Sequence, residues 1–162
     1  MTHNAASPRV KQLRLVVEAA DFDAALRFYR DVLGLPEQAA FEGERDARVA
    51  ILHAGQATLE LSNPAQVKLI DAVEADGQPS ARIRVAFEVE DSAAVTGDLV
   101  EAGAELLAPP RETPWRSINS RLHAPADLEI TLFQELESLQ ERTTRPGFHA
   151  PEPHPTPRTA RR

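Results

Sequence analysis

Two arginines stand seventy positions apart in stretches of the same character, Arg14 in "LRLVV" and Arg84 in "RIRVAFEVE". A guanidinium is permanently charged and carries donors in a planar fork, so two of them in one concavity would hold a carboxylate, a phosphate or an enolate. Glu60, in "TLELSN", is the acid that would neutralise one of the two as a buried pair. The other arginine is then left for a ligand.

Around these charges the sequence offers a wall and some polar contacts. Trp115, the only tryptophan, lies in "PPRETPWRSIN". It suits either packing between parts of the fold or stacking on a flat ligand. Asn119 and Thr131 would supply hydrogen bonds, and Phe41 and Phe133 would complete the apolar wall. His53 and His123 occupy matching "LHA" tripeptides at expected strand ends. They read either as solvated rim groups or as a pair for a metal or a proton transfer. His3, His149 and His154 fall in expected tails. There is no cysteine, so thiolate sites and disulfides are excluded. A glycine-rich phosphate loop, a Ser–His–Asp order and an H-E-x-x-H motif are missing as well.

The bulk numbers suit one domain: 162 residues with a net charge of −7, enough chain for a proper core. Residues 1–140 hold 13 Lys/Arg against 23 Asp/Glu, and residues 141–162 hold five Arg against two Glu. An acidic body disfavours binding to nucleic acid phosphates, so no nucleic acid partner is expected. The opening "MTHNAASPRV" has no apolar run of signal-peptide length, and no run is long enough to span a membrane. A cytoplasmic protein with no membrane partner is expected. Residues 141–162 form a Pro/Arg-rich tail, with five prolines in its last 20 residues, and are expected to be disordered, as is a short tail at 1–10.

The elements that would position the candidates follow from periodicity. Leu13–Val17 alternates as a strand should, and Asp21 then caps a helix that runs to Gly34. Phe22, Leu26, Tyr29 and Leu33 make its apolar stripe. "ARVAILHA" and "QATLELSN" read as a hairpin turning at Gly55. After the polar linker "VEADGQPSA" the order restarts, with a strand at "RIRVAFEVE", a cap at Asp91 and a helix ending near Gly103. Leu13, Leu15 and Val17 alternate with Arg14, as Ile83, Val85 and Phe87 alternate with Arg84. The apolar sides must meet the helices, so the arginines face a cleft.

An offset of seventy places Arg14 on Arg84, Asp21 on Asp91 and Leu52–Ala54 on Leu122–Ala124. This is a duplicated strand–helix–strand–strand–strand unit with halves at about 11–65 and 80–135. Neither half buries both faces of its sheet alone. The expected fold is therefore α+β, two tandem βαβββ modules forming a cleft-shaped mixed sheet within one domain at 11–135.

The phrase "ADFDAALRFYRDVLGLP", the later "AFEVED" and the closing "HAPADLEITLFQ" resemble the vicinal oxygen chelate superfamily, the fold of glyoxalase I, extradiol dioxygenases, fosfomycin-resistance enzymes and bleomycin-binding proteins. The resemblance spans about residues 11–134 and implies a homodimer. For metal-dependent members it implies His, Glu or Gln at matching strand positions. Here those positions hold Arg14, Arg84 and Thr131, and only Glu60 keeps a carboxylate. Arginine has no lone pair for a metal, so no cofactor is expected.

Three functions remain open at this point. One is a metal-free protein binding a small organic ligand, anionic or aromatic, with Arg14, Glu60, Arg84, Trp115, Asn119 and Thr131 around it. The second is a metal-dependent glyoxalase-like lyase or dioxygenase using Glu60 with His53 or His123 and a divalent metal as Lewis acid. The third is an antibiotic-sequestering protein of the bleomycin-resistance type. The acidic body favours the third, and the paired arginines oppose it.

Overall fold

The computed structural model describes residues 10–146. Residues 1–9 of the expected tail at 1–10, most of that at 141–162, and His3, His149 and His154 lie outside the described residues. Helix α1 (Phe22–Leu26) starts where Asp21 Oδ1 accepts the backbone N–H of Ala24 at 3.0 Å. It runs on through a π-helical stretch, Arg27–Val32. The widened turn moves the centre of the buried face to Ala25, Phe28 and Tyr29, while Phe22, Leu26 and Leu33 are half-buried. Extra residues per turn rotate the stripe away from strict spacing of three and four.

The first module departs from its expected strands. Residues 48–52 were expected to pair forward with 56–63, whereas strand β2 (Arg48–Leu52) pairs antiparallel with the preceding β1 (Glu37–Glu42). The connection is closed by Gly43 N–H on Ala47 O at 2.8 Å, and Arg45 and Asp46 take left-handed backbone. "EQAAFE" has no β-branched residue, so propensity alone passes over it. The two outer stretches, Leu13–Val17 and 56–63, form no strand. Their alternation fixes which side chains share a side without supplying a ladder partner, and Val16, Leu59 and Leu61 are exposed.

The segment between the modules is the second departure. Helix α2 (Pro64–Ala75) takes in the first three residues of the expected linker "VEADGQPSA". Asn63 caps it by accepting Gln66 N–H at 2.9 Å, Pro64 sits in its first turn, and it stops at left-handed Asp76 followed by Gly77.

The second module is complete. Strand β3 (Val85–Glu88), helix α3 (Ser92–Glu101) and strands β4 (Glu105–Glu112), β5 (Ser117–Ala124) and β6 (Leu128–Glu135) build an open sheet of order β3-β6-β5-β4. β3 lies parallel to β6, and the other pairs are antiparallel. Asp91 caps α3 by accepting Ala94 N–H at 2.9 Å, the equivalent of Asp21 in α1. One face of the sheet carries Leu122, Ile130 and Leu132, fully buried against Leu99 of α3, and Phe28 and Tyr29 join the same core. The modules thus meet on the helical side. Tyr29 Oη donates to Pro125 O at 2.7 Å to link them. A short helix α4 (Leu139–Thr143) follows, begun by a capping box between Ser138 and Glu141, so the first residues of the expected tail are helical.

Candidate functional site

The opposite face of the four-stranded sheet is polar. Because strands alternate, Arg84 next to β3, Arg121 and Asn119 on β5, and Thr131 on β6 share it, away from Val85, Ile130 and Leu122. Arg121 is directly opposite Thr131 in the ladder, and Asn119 is opposite Phe133. Arg84 Nη1 donates to Thr131 Oγ1 at 3.0 Å. Ser117 Oγ donates to Asn119 Oδ1 at 2.6 Å, which fixes the amide with its NH₂ turned outward.

Helix α2 lies across β4 and β5 on this side and supplies two acids. Its buried residues are Ile70, Asp71, Glu74 and Ala75, one stripe at helical spacing. Glu74 Oε2 accepts from Arg121 Nη2 at 3.1 Å and from Arg84 Nη1 at 3.2 Å, and Glu74 Oε1 accepts from Asn119 Nδ2 at 2.6 Å. Asp71 Oδ1 accepts from Arg121 Nη1 at 3.0 Å, and its other oxygen accepts the backbone N–H of Ser80 at 3.2 Å. Burial pushes the Asp71 carboxyl up. The hydrogen bonds from Ser80 and then from Arg121 outweigh this and hold it below its ordinary 3.8.

Arg121 is the centre of the cluster, 2% exposed. Its Nε lies 3.7 Å from Glu129 Oε1 and makes no hydrogen bond, so one donor and one acceptor stay unsatisfied in the interior. Glu129 Oε2 meanwhile accepts the backbone N–H of Ala81 at 3.0 Å.

Three of the six expected ligand-binding residues, Arg84, Asn119 and Thr131, are thus brought together, and Phe133 is on their face. Arg14 is exposed, with Nη2 3.5 Å from Gln12 Oε1. Glu60 is exposed and accepts from Ser62 Oγ at 3.3 Å. Glu60 meets neither Arg14 nor Arg84, one of which was its expected partner, because Arg14 and Glu60 lie in the stretches that form no strand, and Glu74 takes its place beside Arg84. Trp115 is half-buried in the turn between β4 and β5, and Phe41 is exposed on β1. His53 Nδ1 accepts Gly55 N–H at 3.1 Å, and His123 Nε2 lies 2.8 Å from Asp127 Oδ1, each within its own turn.

Sequence reasoning missed Arg121, Asp71 and Glu74. The signals were present: Arg121 has the parity of Asn119 in "SINSRLHA", and "NPAQVKLIDAVEADG" begins with a cap followed by proline and ends at Asp-Gly.

Residues 14–133 match the family described as Glyoxalase-like domain. Among solved structures, TnmS3, an antibiotic binding protein from Streptomyces sp. CB03234, is similar at 20% identity and a TM-score of 0.52, over 79% of this chain and 98% of that one. A member of the glyoxalase/bleomycin resistance protein/dioxygenase superfamily from Sphaerobacter thermophilus DSM 20745 is similar at 22% identity and a TM-score of 0.48, over 74% of this chain and 92% of that one. A glyoxalase-related enzyme from Fulvimarina pelagi is similar at 16% identity and a TM-score of 0.48, over 78% and 89%. No curated protein matches the chain. At 20% identity the likeness to TnmS3 speaks for the fold alone.

Proposed function

The chain belongs to the glyoxalase-like domain family, and from that premise we propose that it binds a small organic anion in the polar cup of its second module, without a metal ion. The observation that carries this reading is the convergence of Arg84, Arg121 and Asn119 on a single carboxylate, that of Glu74. Two charged forks and an amide NH₂ are donors for an oxyanion. They do not fit a divalent cation, since a guanidinium has no lone pair to give. Among the described residues no three His, Asp or Glu side chains are grouped so that they could hold a metal ion.

Thr131 fixes Arg84, and Phe133 and Trp115 offer apolar surface to the body of a ligand. Arg14 and Glu60 enter the site when the two unpaired stretches of the first module close over it. The exposed Leu13, Leu15, Val16, Leu59 and Leu61 support a homodimer that covers them. Among the described residues no helix is long and apolar enough to cross a membrane. The assignment to the cytoplasm, with neither nucleic acid nor membrane as partner, belongs to the same reading.

The test uses protein purified without a metal-affinity tag. Its metal content is measured, and its thermal midpoint is followed with succinate and phthalate, because a bound ligand raises the midpoint by mass action. The expected result is a rise for wild type, no rise for Arg84→Ala, and metal far below stoichiometric. Near-stoichiometric metal, or a rise with Mn, Fe, Co, Ni or Zn, overturns the reading in favour of a metal-dependent lyase or dioxygenase. A rise only with a cationic antibiotic overturns it in favour of sequestration.

A further inference from the structure

Glu74 is held as a ligand would be held. Its carboxylate takes three side-chain donors from the sheet, Arg84, Arg121 and Asn119, and it is 4% exposed. Asp71, one turn earlier on the same helix, takes the other end of the Arg121 fork. We propose that helix α2 is a built-in occupant of the cup, with Glu74 and Asp71 standing in for the two acidic groups of a dicarboxylate that binds by displacing the helix. The inference rests on the anion-binding reading of the cup and names its ligand class and its gate.

The charge balance supports the exchange. The sheet side of the cup holds Arg84 and Arg121 against Glu129, one cation in excess, and seating α2 adds Asp71 and Glu74, leaving one anion in excess. A cup emptied of the helix therefore attracts an anion, and a filled one does not. A ligand with one carboxylate replaces Glu74 and leaves the other end of the Arg121 fork without a charged partner, with only the Gln78 carbonyl 3.4 Å from Nη1. A dicarboxylate answers both ends.

The helix is also fixed in a way that lets it leave. Its buried stripe is half carboxylate, and Ile70 is its only large apolar member, whereas Leu69 points to solvent at 52% exposed. Little apolar area opposes its departure. No helix or strand lies at 53–63 or 76–84, so α2 is tethered on both sides by irregular chain. Its C-terminal end carries an exposed latch, where Arg111 Nη1 and Nη2 meet Asp76 Oδ1 and Oδ2 at 2.9 and 3.1 Å. Exposed pairs of this kind hold weakly.

The experiment follows amide hydrogen exchange across 66–75 in the full-length protein, with succinate or phthalate and with acetate or benzoate at matched ionic strength. The dicarboxylates are expected to speed exchange in α2, and the monocarboxylates to leave it unchanged. Asp76→Asn, which loosens the latch outside the cup and suits left-handed backbone, is expected to tighten dicarboxylate binding several-fold, because the binding-competent fraction rises. Glu74→Gln is expected to tighten it too, and if that variant fails to fold, the wild-type and Asp76→Asn results decide. Dicarboxylate binding that Arg84→Ala abolishes, with exchange in α2 unchanged or slowed, overturns the displacement and leaves the anion-binding cup standing. Failure of every probe to bind wild type and Asp76→Asn overturns both.

Discussion

Arg121 Nη2 lies 3.1 Å from Glu74 Oε2, joining residues 47 apart in sequence, with side chains 2% and 5% exposed. The contact ties the segment between the modules to the centre of the second sheet. It also explains why so charged a group is tolerated inside. Burying an arginine is costly unless acids meet it, and here Asp71 and Glu74 both do.

Arg121→Met is expected to lower unfolding stability by about 3–5 kcal/mol, the usual consequence of stranding a buried charge. Urea denaturation measures it. Because Asp71 is then left without its cation beside Glu74, which keeps only Arg84 as a cation, adding Glu74→Gln to Arg121→Met should restore part of the loss, so that the two substitutions are coupled in a double-mutant cycle. Strict additivity would mean that the pair is not a unit.

Acid should loosen the same contact. The Asp71 carboxyl titrates below 3.8 in the folded protein, so the folded state binds fewer protons than the unfolded chain in that range. The stabilisation is fully present above the ordinary carboxylate value and is lost as pH falls through the lower folded value. Asp71→Asn is expected to flatten the acid limb of the stability curve. An unchanged limb would place the acid sensitivity elsewhere.

The second module was legible because each local signal had a partner nearby. Asp91 capped, Gly103 stopped, and the alternation of Val85 and Phe87 against Arg84 put Arg84 on the sheet face away from the helical core. The first module was not, because alternation at Leu13–Val17 and 56–63 describes side-chain direction and leaves the pairing partner open. "EQAAFE" became a strand by pairing with Arg48–Leu52, which no propensity scale announces. Helix α2 was hidden for a different reason. Its buried stripe is made partly of carboxylates, so a search for apolar periodicity passes over the element that fills the site.

The duplicated caps offer a matched pair of tests. Asp21 Oδ1 accepts Ala24 N–H at 3.0 Å and Asp91 Oδ1 accepts Ala94 N–H at 2.9 Å. Asp21→Ala and Asp91→Ala should each cost about 0.5–2 kcal/mol, as the loss of a helix N-cap generally does. Equivalent chemistry seventy residues apart should give similar losses. A loss at only one site would show that the repeat has kept the residue without its function.

Tyr29 reports on the junction between the modules. Its Oη donates to Pro125 O at 2.7 Å across 96 residues of chain, its ring stands edge-on to Phe28 at 5.0 Å, and burial pushes its hydroxyl from 10.0 up to about 12. Tyr29→Phe keeps the ring and removes the donor, leaving the Pro125 carbonyl without that partner, at an expected cost of about 0.5–1.5 kcal/mol. The chain has one tyrosine, so an ultraviolet titration reads this group alone. A raised folded value means that the folded state keeps its proton longer than the unfolded chain. The stabilisation is therefore complete below pH 10.0 and is lost as pH rises toward about 12. Native protein should ionise near 12, urea-unfolded protein near 10, and Tyr29→Phe should lose this part of the alkaline decline. Ionisation near 10 in the native protein would mean that the hydroxyl is open to water and that Pro125 does not hold it.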